Sequence, residues 1–160
     1  MVPPNGPAIP LGRTYTLLIM INQFGKTAWQ GDIKGHADIT TKSGTVSALL
    51  SAGTRFEGQK GTNPEELIGA AHSGCYTMFL NHVLSAAGHQ VESITTTSTV
   101  TLDPTQSPPK ITKIHVSTEA KIPGLSAEEF QKQAEFAKAN CPVSQVLSAV
   151  PEMTLEAKLS

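Results

Sequence analysis

The 160-residue sequence has no excess of charge of either sign: 12 Lys and Arg stand against 13 Asp and Glu, for a net charge of -1 at pH 7. Nucleic-acid and anionic-membrane surfaces are bound by clustered positive charge, so neither is expected as the main partner. The chain also lacks any apolar run near the roughly 18–20 residues that a membrane span requires. Its most apolar early stretch, Tyr15 to Ile21, is short, and neither a basic segment nor an A-x-A-like cleavage site accompanies it. The expected location is therefore a reducing cytoplasm. Cysteine is scarce, with Cys75 and Cys141 the only two. They form no C-x-x-C pair, which excludes a thioredoxin motif and a zinc ribbon. In a reducing compartment two cysteines are more often catalytic or metal-binding than a structural staple. Repeats and low-complexity segments are absent as well.

What is present is 39% hydrophobic residues, enough for one domain with a real core. Residues 1–19 are expected to form an irregular N-terminal extension, rich in Pro and Gly over its first ten positions, and Met20 offers an alternative start. Residues 20–160 are expected to form the single domain. Partial alternation over Lys26–Asp32, His36–Thr41 and Thr45–Leu50, punctuated by glycines, predicts three strands. Asn63-Pro64-Glu65-Glu66 supplies an N-cap, a first-turn proline and a glutamate at the capping-box position, and predicts a helix to about Ala87, with Gly88 as its C-cap. Ile68, Ala71, Cys75, Met78, Phe79, His82 and Ala86 recur at helical spacing and predict one apolar, buried face. Thr/Val-rich strands follow over Glu92–Asp103 and Ile111–Ile122. Ser126 caps a second helix to about Ala139, Cys141-Pro142 starts a short one through Val146, and Met153–Leu159 is a last strand. This order is α+β.

Read alone, Cys75 in mid-helix is as readily a small buried hydrophobe as a reactive thiol. Cys141 stands just before a helix N-terminus, where backbone N–H groups lower a thiol pKa. A structural cysteine at a cap position is its plainer reading. His72 lies three residues before Cys75 and His82 seven after it, so a Cys–His pair or a metal-dependent hydrolase site of His72, Cys75 and His82 is one alternative. No carboxylate falls on that stripe to orient a histidine, and the spacing matches no common zinc pattern. Glu65 and Glu66 are ordinary first-turn acids that favour the helix dipole. Arg55, in Thr54-Arg55-Phe56-Glu57-Gly58 at an expected strand end, reads as a surface cation.

The segment Gly61-Thr62-Asn63-Pro64-Glu65-Glu66-Leu67-Ile68-Gly69-Ala70-Ala71-His72-Ser73-Gly74-Cys75 resembles the signature of the osmotically inducible protein C family. Cys141-Pro142-Val143-Ser144-Gln145-Val146-Leu147 resembles that family's second cysteine motif. Trp29-Gln30-Gly31-Asp32 and Thr54–Gly58 fit too, and the similarity spans Met20 to Leu159. The Ala-Ala-His form before Cys75 is closer to this branch than to the sister organic hydroperoxide resistance proteins. The resemblance implies a peroxidase of organic hydroperoxides. Cys75 would become a sulfenic acid, and Cys141 would condense with it to a disulfide. Arg55 would hold the Cys75 thiolate, and Glu65 would orient Arg55. It also implies antiparallel sheets wrapped around two long central helices in an intertwined homodimer, no bound cofactor, and reduction by a dihydrolipoyl group, on a lipoylated protein or a small dithiol.

Chemistry adds conditions to that expectation. A thiol on an apolar helix face has a raised pKa, so a nearby cation is needed, and Arg cannot lose its proton. Met78 and Phe79 are expected to receive the hydrocarbon part of the substrate. Glu65 and Cys75 lie ten residues apart on one helix, a rise of about 15 Å with about 80° of rotation. If both serve one site, Arg55 must bridge the gap or Glu65 must come from a partner subunit. A non-catalytic homodimeric stress or ligand-binding protein with buried cysteines is the other alternative.

Overall fold

Strand-forming residues on either side of one long apolar helix divide the sheet structure into two three-stranded sheets. The computed structural model describes residues 20–160, and the expected extension over residues 1–19 lies outside them. Strands β1 (Gly25–Gln30), β2 (His36–Thr41) and β3 (Ser47–Ser51) form an antiparallel meander. Gly31 and Gly44 take positive φ in its turns, a conformation that glycine adopts without strain. Every residue of β1 is exposed, so among the described residues neither face of this strand is covered.

The stretch expected as a strand end is instead a short helix, α1 (Ala52–Phe56). The Ser51 hydroxyl accepts the Thr54 N–H at 3.0 Å, and the Thr54 hydroxyl accepts the Ser51 N–H at 2.9 Å. This reciprocal cap stops the strand at Ser51 and sets Arg55 on a helical turn. Thr54 also donates to the Thr62 carbonyl at 2.8 Å, which ties α1 to the start of the next element.

That element is α2 (Pro64–Ala86), capped by Asn63 as expected: its side chain accepts the Glu66 N–H at 2.8 Å. Glu66 does not complete a capping box. Its carboxylate accepts from the Thr62 hydroxyl at 3.1 Å. Gly88, at φ +87, follows the C-cap Ala87. The buried stripe of α2 is Gly69, His72, Tyr76, Leu80 and Leu84, not the one the spacing picked out. Ala71, Met78, His82 and Ala86 are exposed, and Ile68, Cys75 and Phe79 are half-buried. The helix is apolar on more than one side, so periodicity establishes a helix without saying which side faces the sheet. Gly69 decides it: a Cβ there would lie 2.6 Å from the Ser98 carbonyl oxygen, and only glycine admits this approach.

The second sheet has the order β4 (Ser93–Asp103), β5 (Lys110–Lys121), β6 (Glu152–Leu159). The expected antiparallel pairing holds for β4 with β5, whereas β6 joins β5 in parallel. Between β5 and β6 the chain passes through α3 (Ala127–Asn140) and α4 (Pro142–Val146), a crossover that returns it to the same end of the sheet. Ile114, Val116, Thr118 and Ala120 alternate inward along β5. Ile114, Val116 and Ala120 pack with Tyr76, Leu80 and Leu84 of α2 and Phe130 and Ala137 of α3. Each large apolar side chain fully buried here contributes roughly 1.5–3 kcal/mol. The Tyr76 hydroxyl, buried among them, donates to the Ala134 carbonyl at 3.1 Å. Among the described residues no helix is long and apolar enough to cross a membrane.

Gly69→Ala tests the close approach. Overpacking costs on the order of 1–3 kcal/mol, against a helix-propensity gain of about 1 kcal/mol. A lower urea midpoint is expected, and a raised one would show that β4 yields to the methyl group without loss.

Candidate active site

Cys141 ends α3 and begins α4, because Pro142 cannot continue the first helix and is suited to open the second. This corner carries the Cys141 sulfur to α2, where it lies 3.2 Å from the Cys75 sulfur. Both thiols are free. They differ in access: Cys141 is fully buried in the core, whereas Cys75 is half-buried.

They also differ in acidity. Burial pushes the Cys75 thiol up; the Val143 N–H opposes this, and the neighbouring Cys141 adds to it. Burial pushes Cys141 up as well, but hydrogen bonds from the Ser144 N–H, Cys75, the Ser144 hydroxyl and the Val143 N–H outweigh it, and its thiol lies below the usual value. Cys141 is thus the more acidic sulfur, as its position before a helix implied.

Arg55 and Glu65 form a second pair. The Arg55 Nε donates to Glu65 Oε2 at 3.0 Å, and a second guanidinium nitrogen contacts Glu65 Oε1, a two-point pairing that fixes the cation. Glu65 is 11% exposed and Arg55 31%. The Arg55 guanidinium sits 5.2 Å from the centre of the Phe56 ring. Beside it is a small cavity of about 170 Å³ walled by Trp29, Ile33, Leu50 and Phe56. This pair stands at the first turn of α2, ten residues before Cys75. Among the described residues Arg55 is not one of the groups that shift Cys75. Within the chain, then, the four expected catalytic residues form two pairs rather than one cluster.

Met78 and Phe79 follow Cys75 on α2. Met78 is 76% exposed. Phe79 packs partly against the core and stacks on Phe136 of α3, with ring centres 6.3 Å apart.

His72 turns away from Cys75. Its Nδ1 lies 2.8 Å from the Ser98 hydroxyl of β4, and its Nε2 lies 2.8 Å from the Ser144 hydroxyl of α4. His82 is exposed. His72, Cys75 and His82 therefore do not converge, and the metal-dependent alternative loses its ligand set. Sequence reasoning missed Ser98, Ser144, Val143 and the wall residues Trp29 and Ile33.

Residues 56–156 match the family model described as OsmC-like protein. The chain belongs to the OsmC-like family. It is 47% identical over 141 residues to the peroxiredoxin OsmC of Escherichia coli, a match covering 87% of this chain and 97% of that protein. It is 30% identical over 138 residues to the organic hydroperoxide resistance protein-like 1 of Staphylococcus saprophyticus, covering 84% and 94%. The crystal structure of an organic hydroperoxide resistance protein OsmC from Legionella pneumophila superposes with a TM-score of 0.65 at 24% identity, covering 89% of this chain and 98% of that one. The α+β architecture of two sheets and a long helix is that of the OsmC fold.

Burial holds the His72 pKa below its ordinary value of 6.5. Its contribution to stability is fully present above about 6.5 and is lost as pH falls through the lower folded value, where the unfolded chain binds the extra proton. The drop in denaturation midpoint between pH 7 and pH 5 is expected to be smaller in His72→Gln than in wild type. An equal drop in both would contradict the buried, neutral imidazole.

Proposed function

We propose that this OsmC-like protein is a thiol-dependent peroxidase that reduces organic hydroperoxides to alcohols. The observation that carries the reading is the 3.2 Å approach of an accessible sulfur, Cys75, to a buried and more acidic one, Cys141. Names carried by the relatives, peroxiredoxin and organic hydroperoxide resistance protein, support the same chemistry. The Cys75 thiolate attacks a peroxide oxygen, the O–O bond breaks, and the alkoxide takes a proton and leaves as alcohol. Cys75 is oxidised to a sulfenic acid. Cys141 then attacks the Cys75 sulfur, an S–S bond forms, and water leaves. An external dithiol, a dihydrolipoyl group in our reading, returns both thiols and leaves as its own disulfide. Access assigns the roles: a bulky peroxide reaches Cys75 and not the buried Cys141.

The acidity runs against this assignment within one chain, because Cys75 is the sulfur whose thiol is raised. A cation must offset that, and Arg55 is fixed on Glu65, which stands ten residues before Cys75 on α2. We infer that the working unit is a homodimer in which Arg55, held by Glu65, meets Cys75 of the second copy. Exposure of all of β1 and of Ala71, Met78 and His82 beside Cys75 supports a covering partner. In that arrangement Met78, Phe79 and the cavity walled by Trp29 and Phe56 receive the hydrocarbon group.

Cumene hydroperoxide consumption with dihydrolipoamide tests the reading. Cys75→Ser is expected to abolish turnover, and Cys141→Ser to allow one turnover before over-oxidation. Arg55→Ala is expected to lower kcat/KM by roughly a hundredfold, the loss typical of removing one charge-stabilising donor. Co-refolding the inactive Cys75→Ser and Arg55→Ala chains restores activity if Arg55 acts across the dimer. Full activity in Cys75→Ser would overturn the reading.

A further inference from the structure

Arg55 and Glu65 pair across two elements, α1 and the first turn of α2, with the loop over residues 57–63 between them. Both are partly open to water. An ion pair in that setting contributes about 0–1 kcal/mol, too little to set two elements in register by itself. Two buried threonines, Thr54 and Thr62, supply what the charges cannot.

The Thr54 hydroxyl has one proton and two carbonyl oxygens in reach, Thr62 at 2.8 Å and Ser51 at 3.0 Å. The nearer one stands just before Asn63, the N-cap of α2. The same hydroxyl accepts the Ser51 N–H at 2.9 Å, so it joins the end of β3 to the start of α2. Thr62 is fixed in turn. Its N–H donates to the Leu49 carbonyl at 2.8 Å, and its hydroxyl donates to the Glu66 carboxylate at 3.1 Å. Gly61 makes room for the junction: a Cβ there would lie 2.5 Å from the Thr54 methyl carbon and 2.6 Å from the Leu49 oxygen. Arg55 follows Thr54 directly, and Glu65 comes three residues after Thr62. The Thr54–Thr62 bond therefore sets the separation of the two charged residues.

Building on the peroxidase reading, we propose that Thr54 is a positioning residue for Arg55. Its hydroxyl holds α1 against the start of α2, so the guanidinium engages Glu65 at two points and keeps one direction when the second copy brings Cys75. Thr54 takes no part in bond making. Its effect passes through distance, because the pull of a cation on a thiolate weakens as the two separate. Without the hydroxyl, the Ser51 N–H and the Thr62 carbonyl lose a partner in a buried place, and the two elements shift to satisfy them. Arg55 then leaves Glu65 for part of the time.

The test labels arginine with phenylglyoxal and locates the adducts by peptide mass. The sequence has two arginines, so Arg13 gives each sample an internal reference. Thr54→Val is expected to raise the labelling rate of Arg55 relative to Arg13 roughly fivefold, the effect of one ordinary hydrogen bond. Thr54→Ser, which keeps the hydroxyl, should hold the wild-type ratio. Ser51→Ala, which removes the partner of the Thr54 N–H but leaves the Thr62 bond, should release Arg55 less than Thr54→Val does. In cumene hydroperoxide turnover, Thr54→Val should lower kcat/KM roughly fivefold in wild type. It should add nothing to the loss in Arg55→Ala, because the two residues act as one unit. A wild-type ratio in Thr54→Val, equal release in Thr54→Ser or Ser51→Ala, or losses that add in the double variant would overturn the proposal. If Thr54→Val fails to fold, Thr54→Ala decides, since it removes the hydroxyl without setting a second methyl group against the Thr62 carbonyl. Labelling uses no peroxide, so the two readings fail separately. Released Arg55 in Thr54→Val without peroxide consumption by wild type would sink the peroxidase and keep the Thr54 tie. Peroxide consumption with Arg55 labelling unchanged would do the reverse.

Discussion

The close approach of α2 to β4 at Gly69 is the constraint from which the site follows. A side chain at that position would collide with the Ser98 carbonyl. With hydrogen there, the helix settles onto the sheet and presents His72 to the Ser98 hydroxyl less than one turn later. Cys75, three residues further, is left beside the seam rather than inside it. Tyr76, Leu80 and Leu84 continue the buried stripe and anchor the helix against β5 and α3. The α3–α4 corner then has one place to go, and Pro142 delivers Cys141 into contact with Cys75. Shifting the helix by one residue would turn a different stripe inward and separate the sulfurs.

Two demands on a thiol conflict in this arrangement, and the chain divides them between two residues. Access requires exposure, which one sulfur has. Acidity requires a lowered pKa, which the other has at the α3–α4 corner. In the proposed dimer the accessible sulfur gains its cation from the second copy, so attack on peroxide depends on assembly while disulfide closure depends on local geometry alone. The Arg55–Glu65 pair suits this division because its two-point geometry orients the guanidinium before any partner arrives.

Legibility in the sequence followed the range of the interaction that determined each feature. The ends of α2 were readable because Asn63-Pro64 and Gly88 act within one turn of the backbone. The Ser126 cap and the alternation of β5 were readable for the same reason. The short helix carrying Arg55 was missed because its reciprocal cap uses Thr54 where a glutamate or glutamine is the usual cue. The buried stripe of α2 was misread because a helix apolar on several sides leaves the choice to a glycine and a distant strand. His72 was noticed for its nearness to Cys75, yet its partners lie 26 and 72 residues away and no spacing rule reaches them. The parallel pairing of β6 depends on where a crossover of two helices returns the chain. Of the site, the two cysteines, their relative acidity and the offset of Glu65 came from residue-level reasoning. The attacking role of Cys75 and the pairing of Arg55 with Glu65 came from family resemblance.

The central claim is that peroxide oxidises Cys75 first and that Cys141, although the more acidic thiol, is the one that closes the disulfide. Trapping the sulfenic acid in Cys141→Ser with a dimedone-type reagent, after one equivalent of cumene hydroperoxide, measures this directly when the adduct is located by peptide mass. The account predicts a single adduct on Cys75 and no comparable oxidation of Cys141 in Cys75→Ser. Oxidation of Cys141 in Cys75→Ser at the rate seen for Cys75, or no adduct on Cys75, would contradict it.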